Sequence, residues 1–464
     1  MCSEIAAILT EKNIQNLVLH SDNSLSWVGI DLTCQNEGIS LLPLPTYFSI
    51  AQLIYALEST AIDAIITDNS ALPCLLDDRP DLKHHLILGD LLLITLNDHN
   101  NSCQLPANTG KITYTSGSTG TPKGVCLSNN QLLTQAKYLA DIVGLSQPRH
   151  LCLLPLSTLL ENVGGVYAPI LAGGEVVVPS LEDIGFSGSS SLIGQKITAQ
   201  ISEVQPNSLI ITPQILLLLV SFVSSGWEPP ATLKFVAVGG GKVSSDLLEK
   251  ARNIGLPIYE GYGLSECASV VSLSTPGNHL AGSCGKPLPH LKVSIEAGEV
   301  VVSGNSMLGY INEPDSWGQK SIHTGDLGSL DDSGFLHING RSKNLLISSF
   351  GRNISPEWVE SAFLSHLEFS EFIVFGDAQP YCVALLSPRS PQITDDQLQQ
   401  VIENVNKSLP DYARVQKWLR LPRPLRSEQR FVTDNGKPKR VAILDHYAPT
   451  IQRLYSAEPL TSNV

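Results

Sequence analysis

The chain has 464 residues, 42% of them apolar and 16% charged, which is the composition of a globular protein with room for more than one core rather than of a disordered or fibrous chain. Its net charge of −14 argues against a nucleic-acid backbone as partner, because phosphate binding draws on clustered cations. Nine scattered cysteines with no C-x-x-C pair indicate neither a disulfide framework nor a zinc site and fit a reducing compartment. An acid at Glu4 and no basic segment before an apolar run argue against a secretory signal.

In chain order, "SIAQLIYALESTAIDAIITD" places Ile50, Leu53, Ile54 and Leu57 at helical spacing behind a Ser49 cap, then gives a short apolar strand. The stretch "TYTSGSTGTPKGV" at residues 113–125 combines three glycines, several hydroxyls and a lysine. Backbone N–H groups freed of side chains, hydroxyl donors and one point charge suit a polyphosphate. It is not the ordinary P-loop, because Pro122 precedes Lys123 and Gly124 follows it. "ILLLLVSFV" at 215–223 follows Pro213 and is far short of a membrane span, so it reads as a buried helix. "LKFVAVGGGKVSSDLLEKARNIGLPIYEGYG" gives a strand ending at Gly239, a helix stopped at Gly255 and Pro257, and a second strand. Such alternation predicts an α/β fold with a mainly parallel sheet. After about residue 280, short Val/Ile runs between Gly, Asn and Asp turns predict antiparallel strands that close the large domain. From Arg341 onward, "PEWVESAFLSHL" capped by Ser355, "EFIVFGD" and "TDDQLQQVIENVNKSL" predict a small α+β domain. The division is therefore 1–340 and 341–464.

With these pieces in order, the sequence resembles the adenylate-forming (AMP-binding) enzymes: acyl-CoA synthetases, luciferases and peptide-synthetase adenylation domains. The resemblance rests on four motifs spread over residues 113–440: the glycine-rich stretch, "YEGYGLSE" at 259–266, "TGDLGSLDDSGFLHINGRSKN" at 324–344 and "TDNGKPKR" at 433–440. "LPLSTLLE" at 154–161 and "SFGRNISPEWVE" at 349–360 are most similar to the fatty-acyl-CoA synthetase branch. It implies a large N-terminal domain of β-α-β subdomains and a small mobile lid. It also implies ATP-dependent activation of a carboxylic acid, here a fatty acyl one, to acyl-AMP. A thiol of CoA or of a phosphopantetheinyl carrier protein then accepts the acyl group. A stand-alone enzyme loading a carrier protein and a non-catalytic nucleotide-binding relative are the alternatives.

Residue by residue, the resemblance assigns Thr115, Ser116, Gly117, Ser118, Thr119, Gly120 and Lys123 to the leaving pyrophosphate, with Gly124 giving further backbone room. It gives Gly240, Gly241, Glu260, Gly261, Tyr262 and Gly263 to the adenosine, with the Tyr262 ring on the base. Ser265 would donate to the α-phosphate, Glu266 would hold Mg²⁺, and Asp326 would accept the ribose hydroxyls with Arg341 nearby. Lys437, favoured over Lys439 for its place after "NG", would bridge the attacking carboxylate and the α-phosphate. Lys343 would be the hinge, and Gly351 would leave room for the acceptor's pantetheine. The acyl pocket would draw on residues 154–165 and 238–241, and Thr158 stands where many fatty-acyl relatives carry an aromatic residue or His. With only Glu161 as an acid there, a free amino acid is disfavoured as substrate. About 110 residues before the phosphate motif imply a shortened N-terminal subdomain. A cytoplasmic enzyme without an integral membrane segment completes the expectation.

Overall fold

The computed structural model describes residues 2–48, 50–72, 82–87, 91–96, 103–115, 123–187, 191–433 and 436–456. The protein is α/β, as the alternation predicted, with a large N-terminal and a small C-terminal domain. Ser49, the expected cap of the helix Ile50–Ser59, lies outside the described residues. Two large sheets dominate the N-terminal part. One has a parallel centre of Asn16–His20 between Ser40–Pro43 and Ala64–Thr67, and carries the antiparallel hairpin Lys111–Thr115 and Lys123–Leu127. In the other, Glu175–Val177, Arg149–Leu151, Ser208–Ile211, Phe235–Val238 and Ile258–Tyr262 run parallel. The apolar content of the central strands Ser208–Ile211 and Phe235–Val238 reflects burial on both faces. The apolar stretch after Pro213 is the buried helix Pro213–Ser224, and no helix among the described residues is long and apolar enough to cross a membrane. The turn-rich region before residue 341 forms a four-stranded antiparallel sheet that includes Ser321–Leu330 and Leu336–Arg341.

The largest core cluster lies among the helices Leu25–Glu37 and Asn129–Val143, a π-helical turn Asn162–Tyr167 and strands of the large sheets. Each fully buried Leu or Ile there contributes roughly 1.5–3 kcal/mol of transfer free energy. At its centre sits a cation. Lys111, 2% exposed, donates to Asp31 at 2.7 Å, to Asn162 at 2.5 Å and to the Tyr167 hydroxyl at 2.9 Å. Asp31 in turn accepts from Asn162 and Tyr167, both at 2.7 Å. This hub joins the helix Leu25–Glu37, the strand that leads into the phosphate motif and the π-helical turn.

In the small domain, Phe369–Phe375 pairs antiparallel with Cys382–Pro388, which pairs parallel with Val415–Arg420. Ser355 caps the helix Pro356–Leu364, as the sequence signals indicated, and Thr394 caps Asp395–Ser408. The last helix, Arg440–Tyr455, is fixed at its start. Arg440 donates to Glu360 at 2.5 Å and to the Val374 carbonyl at 3.2 Å, while Glu360 also accepts from Val374 N–H.

The charge balance at Lys111 has a measurable consequence. Removing one member of a buried ion pair strands the other without compensation. Lys111→Met should lower stability by about 3–5 kcal/mol, read from the urea midpoint of the N-terminal domain. A loss below about 1 kcal/mol would show that Asp31 finds compensation elsewhere.

Candidate active site

Asp326 and Arg341 are cross-strand partners in the antiparallel sheet, which brings the Arg341 Nε to 2.7 Å from one Asp326 oxygen. Tyr262, at the end of the parallel strand Ile258–Tyr262, donates its hydroxyl to the other oxygen at 2.6 Å. Asp326 is only 4% exposed, and its backbone N–H is held by Thr324 Oγ1. Burial raises the Asp326 carboxyl above its ordinary range, against the opposing pull of Arg341, Tyr262 and Lys437. Each carboxylate oxygen has acceptor capacity for a second donor, the requirement for gripping two neighbouring hydroxyls.

Lys437 reaches this place from the small domain. A tight turn positions it: Gly436 N–H and Lys437 N–H both bond to Thr433, and Lys437 O accepts from Thr433 N–H. Lys437 is exposed as a residue, yet its ammonium is crowded in the cleft. That desolvation and the Arg341 charge lower its pKa, while Asp326 and Glu357 pull it back up. Lys439 instead donates to the Gln429 carbonyl and is absent from the cavity wall, so the two candidate lysines have different surroundings.

On the other side, Glu266 accepts from the Tyr310 hydroxyl at 2.9 Å, and the Tyr310 ring carries the Lys123 ammonium at 4.6 Å from its centroid. Lys123 also pairs with Glu313 at 2.8 Å. The carboxylate assigned to a cation and the lysine assigned to phosphate are therefore joined through one tyrosine. Oxygen donors of this kind suit Mg²⁺, and the half-buried Glu266 side chain, with its one named partner, fits such a role. Gly263 is required by packing, because a Cβ there would stand 1.7 Å from the Ser269 carbonyl oxygen. Of the remaining phosphate-motif residues, Thr115 lines the cavity, and Ser116, Gly117, Ser118, Thr119 and Gly120 lie outside the described residues.

Tyr262, Gly261, Gly263, Ser265, Gly240 and Lys437 all line one cavity of about 560 Å³, which continues inward between Leu154, Thr158, Gly164, Ala168 and Ile210. Two residues depart from the expectation. Glu260 faces away: it is buried beside Cys284, and burial pushes its carboxyl up to about 7, with Lys242 and Arg252 offsetting this in part. Gly261 and Tyr262 line the cavity, whereas Glu260 does not. Gly241 does not line the cavity either; its Cβ direction meets Pro213. Lys343 lies in a short 3-10 turn between the two domains, and Gly351 sits at φ +72° in an exposed turn.

The inner end of the cavity contains residues that sequence patterns did not single out. His150 lines it and bonds Ser208 Oγ and Glu161 Oε1, both at 2.9 Å, while the other Glu161 oxygen accepts from Leu154 N–H. Glu161 is thus occupied internally and is not placed to pair a substrate ammonium. Cys152 completes a buried His150–Cys152–Glu161 group whose potential ligand atoms lie within 4.8 Å. Asn23 grips the same loop from the opposite side, bonding both Leu154 O and Leu156 N–H. Nothing in the local patterns near residues 23 or 150 marks these roles, which arise from contacts more than 50 residues apart.

The AMP-binding enzyme family profile matches residues 1–311, and the AMP-binding enzyme C-terminal domain profile matches residues 343–459. A 2-succinylbenzoate–CoA ligase of Bacillus velezensis is 32% identical over 59% of this chain and 57% of its own length. The long-chain-fatty-acid–CoA ligase ACSBG1 of Rattus norvegicus is 25% identical over 76% of this chain and 63% of its own. The chain thus spans less than two thirds of either relative. A solved structure of the o-succinylbenzoate CoA synthetase of Bacillus subtilis, in complex with the acyl-adenylate OSB-AMP, superposes with a TM-score of 0.75. It covers 95% of this chain and 91% of that one at 24% identity, a likeness of fold.

The two lysines can be separated kinetically. Lys437→Ala should slow acyl-adenylate formation by about 10²-fold or more, as for loss of one preorganised charge donor. Lys439→Ala should change it by less than about threefold, as for an exposed charge. Pyrophosphate release under single-turnover conditions reads both, and equal slowing would contradict the assignment.

Proposed function

Because this chain belongs to the AMP-binding enzyme family, we propose that it is an acid–thiol ligase that activates a carboxylic acid with ATP and transfers the acyl group to CoA. The observation that carries the reading is the meeting of Tyr262, Asp326, Arg341 and Lys437 beside a largely apolar cavity that Tyr262 and Lys437 themselves line. Ribose and phosphate are served at the mouth, and an acyl group extends inward.

In the first half-reaction a carboxylate oxygen attacks the α-phosphorus, the bond to the β-phosphate oxygen breaks, and acyl-AMP and pyrophosphate result. Two anions must meet, so the protein's part is charge management. Lys437 neutralises the attacking carboxylate and α-phosphate, Ser265 donates to the α-phosphate, and Asp326 fixes the ribose. Lys123 exchanges its exposed pairing with Glu313, worth about 1 kcal/mol or less, for the more highly charged polyphosphate. Mg²⁺ on Glu266 offsets phosphate charge when bound. In the second half-reaction the thiol sulfur attacks the acyl carbonyl, its proton passes to solvent and AMP leaves. Rotation about Lys343 exchanges the lysine turn for the Gly351 segment between the two steps.

For the acid we favour an aromatic keto acid of the 2-succinylbenzoate kind, the substrate named for the Bacillus velezensis relative. A fatty acid is the second reading, supported by the rat relative and by the aliphatic lining. A free amino acid is disfavoured by the internal pairing of Glu161 with His150.

ATP–pyrophosphate exchange with 2-succinylbenzoate, medium and long fatty acids and amino acids tests this directly. The expected result is exchange that depends on 2-succinylbenzoate, and AMP formation that then depends on CoA. Exchange only with fatty acids would select the second reading. No exchange with any acid would contradict the function.

A further inference from the structure

The two-residue strand Gly309–Tyr310 pairs antiparallel with Lys123–Leu127, Tyr310 opposite Val125 and Gly309 opposite Cys126. Lys123 stands two residues before Val125 and so shares the face of Tyr310, the diagonal position from which a long side chain reaches an aromatic ring. After Tyr310 the chain turns sharply: Asn312 takes φ +58°, and Glu313 N–H bonds back to the Tyr310 carbonyl at 3.3 Å. The turn is pinned. Trp317 Nε1 donates to the same carbonyl at 2.8 Å, and Ser316 Oγ accepts from Tyr310 N–H and donates to the Glu313 carbonyl. It delivers the Glu313 carboxylate to the Lys123 ammonium, whose nitrogen lies 2.8 and 2.9 Å from the two oxygens.

Lys123 is therefore cradled between the Tyr310 ring and the Glu313 carboxylate, and the Tyr310 hydroxyl fixes this cradle beside Glu266. Among the described residues the Glu313 side chain hydrogen-bonds only Lys123, so the carboxylate has no second structural task there. The pair is open to solvent, with 36% and 44% of the two side chains exposed, and it forms and breaks at little cost. A polyphosphate that takes Lys123 must displace Glu313 and then lie close to a like charge. Both effects act against the β- and γ-phosphates, which ATP contributes to pyrophosphate, and neither acts on AMP.

We propose that Glu313 is a positioning residue for product release: its carboxylate retakes Lys123 as pyrophosphate leaves, so pyrophosphate is held more weakly than Lys123 alone would hold it. The inference rests on the acid-activating function above. It bears on the direction of the reaction, because pyrophosphate that stays bound can attack acyl-AMP and restore ATP and the free acid.

The test is calorimetric binding of Mg²⁺–pyrophosphate and of AMP to wild type, Glu313→Gln and Glu313→Asp. Glu313→Gln should bind pyrophosphate about fivefold more tightly, the upper value of an exposed ion pair, with AMP affinity unchanged. Pyrophosphate should inhibit its acyl-adenylate formation at a correspondingly lower concentration. Glu313→Asp, which keeps the charge, should stay closer to wild type, and the gap between wild type and Glu313→Gln should narrow at high salt. Unchanged or weaker pyrophosphate binding by Glu313→Gln would overturn the inference, and so would equal tightening toward AMP, which marks a general change of the cleft. Wild type that binds AMP but no pyrophosphate would overturn the phosphate role of Lys123, and this inference with it. Wild type that binds neither would overturn the acid-activating function itself.

Discussion

The site depends on one buried carboxylate. Asp326 is held out of water in the large domain, and its charge is sustained by a tyrosine from the parallel sheet, an arginine from the neighbouring antiparallel strand and a lysine from the small domain. Burial alone would favour the protonated acid, so the ionised form persists through these partners. Each comes from a different structural layer. The carboxylate therefore reports whether all three layers are in place, and the small domain contributes to the site only when its lysine turn faces the cleft.

The rest of the scaffold divides into parts that stay and parts that exchange. The Lys111–Asp31 hub and the grip of Asn23 and Glu161 on the 154–156 loop are buried and hydrogen-bonded, which makes them expensive to rearrange. They set the walls of the acyl cavity. The contacts around Lys123 and Lys437 are exposed or desolvated only in part, and such pairings are cheap to trade for a substrate's charges. Rigid walls beside exchangeable cations suit a reaction in which one acid must be selected while pyrophosphate leaves and a second acceptor enters.

Much of this was legible in the sequence, for identifiable reasons. The Ser355 helix cap and the strand-turn-helix alternation are local, so spacing revealed them. The polar residues of the cavity mouth stand in short motifs whose order along the chain carried the resemblance. What escaped is non-local. Glu260 lies inside such a motif, yet it is buried against Cys284 and does not line the cavity. His150 is fixed as a cavity residue by Ser208 on a neighbouring strand and by Glu161 on the short helix Leu159–Glu161, which come together only in three dimensions. The acid's identity is of the same kind, since it follows from the shape and polarity of a wall assembled from distant segments, and the fatty-acyl expectation was drawn from two short motifs and the lack of an aspartate at residues 156–165.

The most direct measurement is a crystal structure with a non-hydrolysable acyl-sulfamoyl adenosine that carries the 2-succinylbenzoyl group. The account predicts both ribose hydroxyls on Asp326, the sulfamoyl group beside Lys437, and the acyl portion inside the cavity bounded by Leu154, Gly164 and Ala168. A ribose bound away from Asp326, or an acyl group directed outside that cavity, would contradict it.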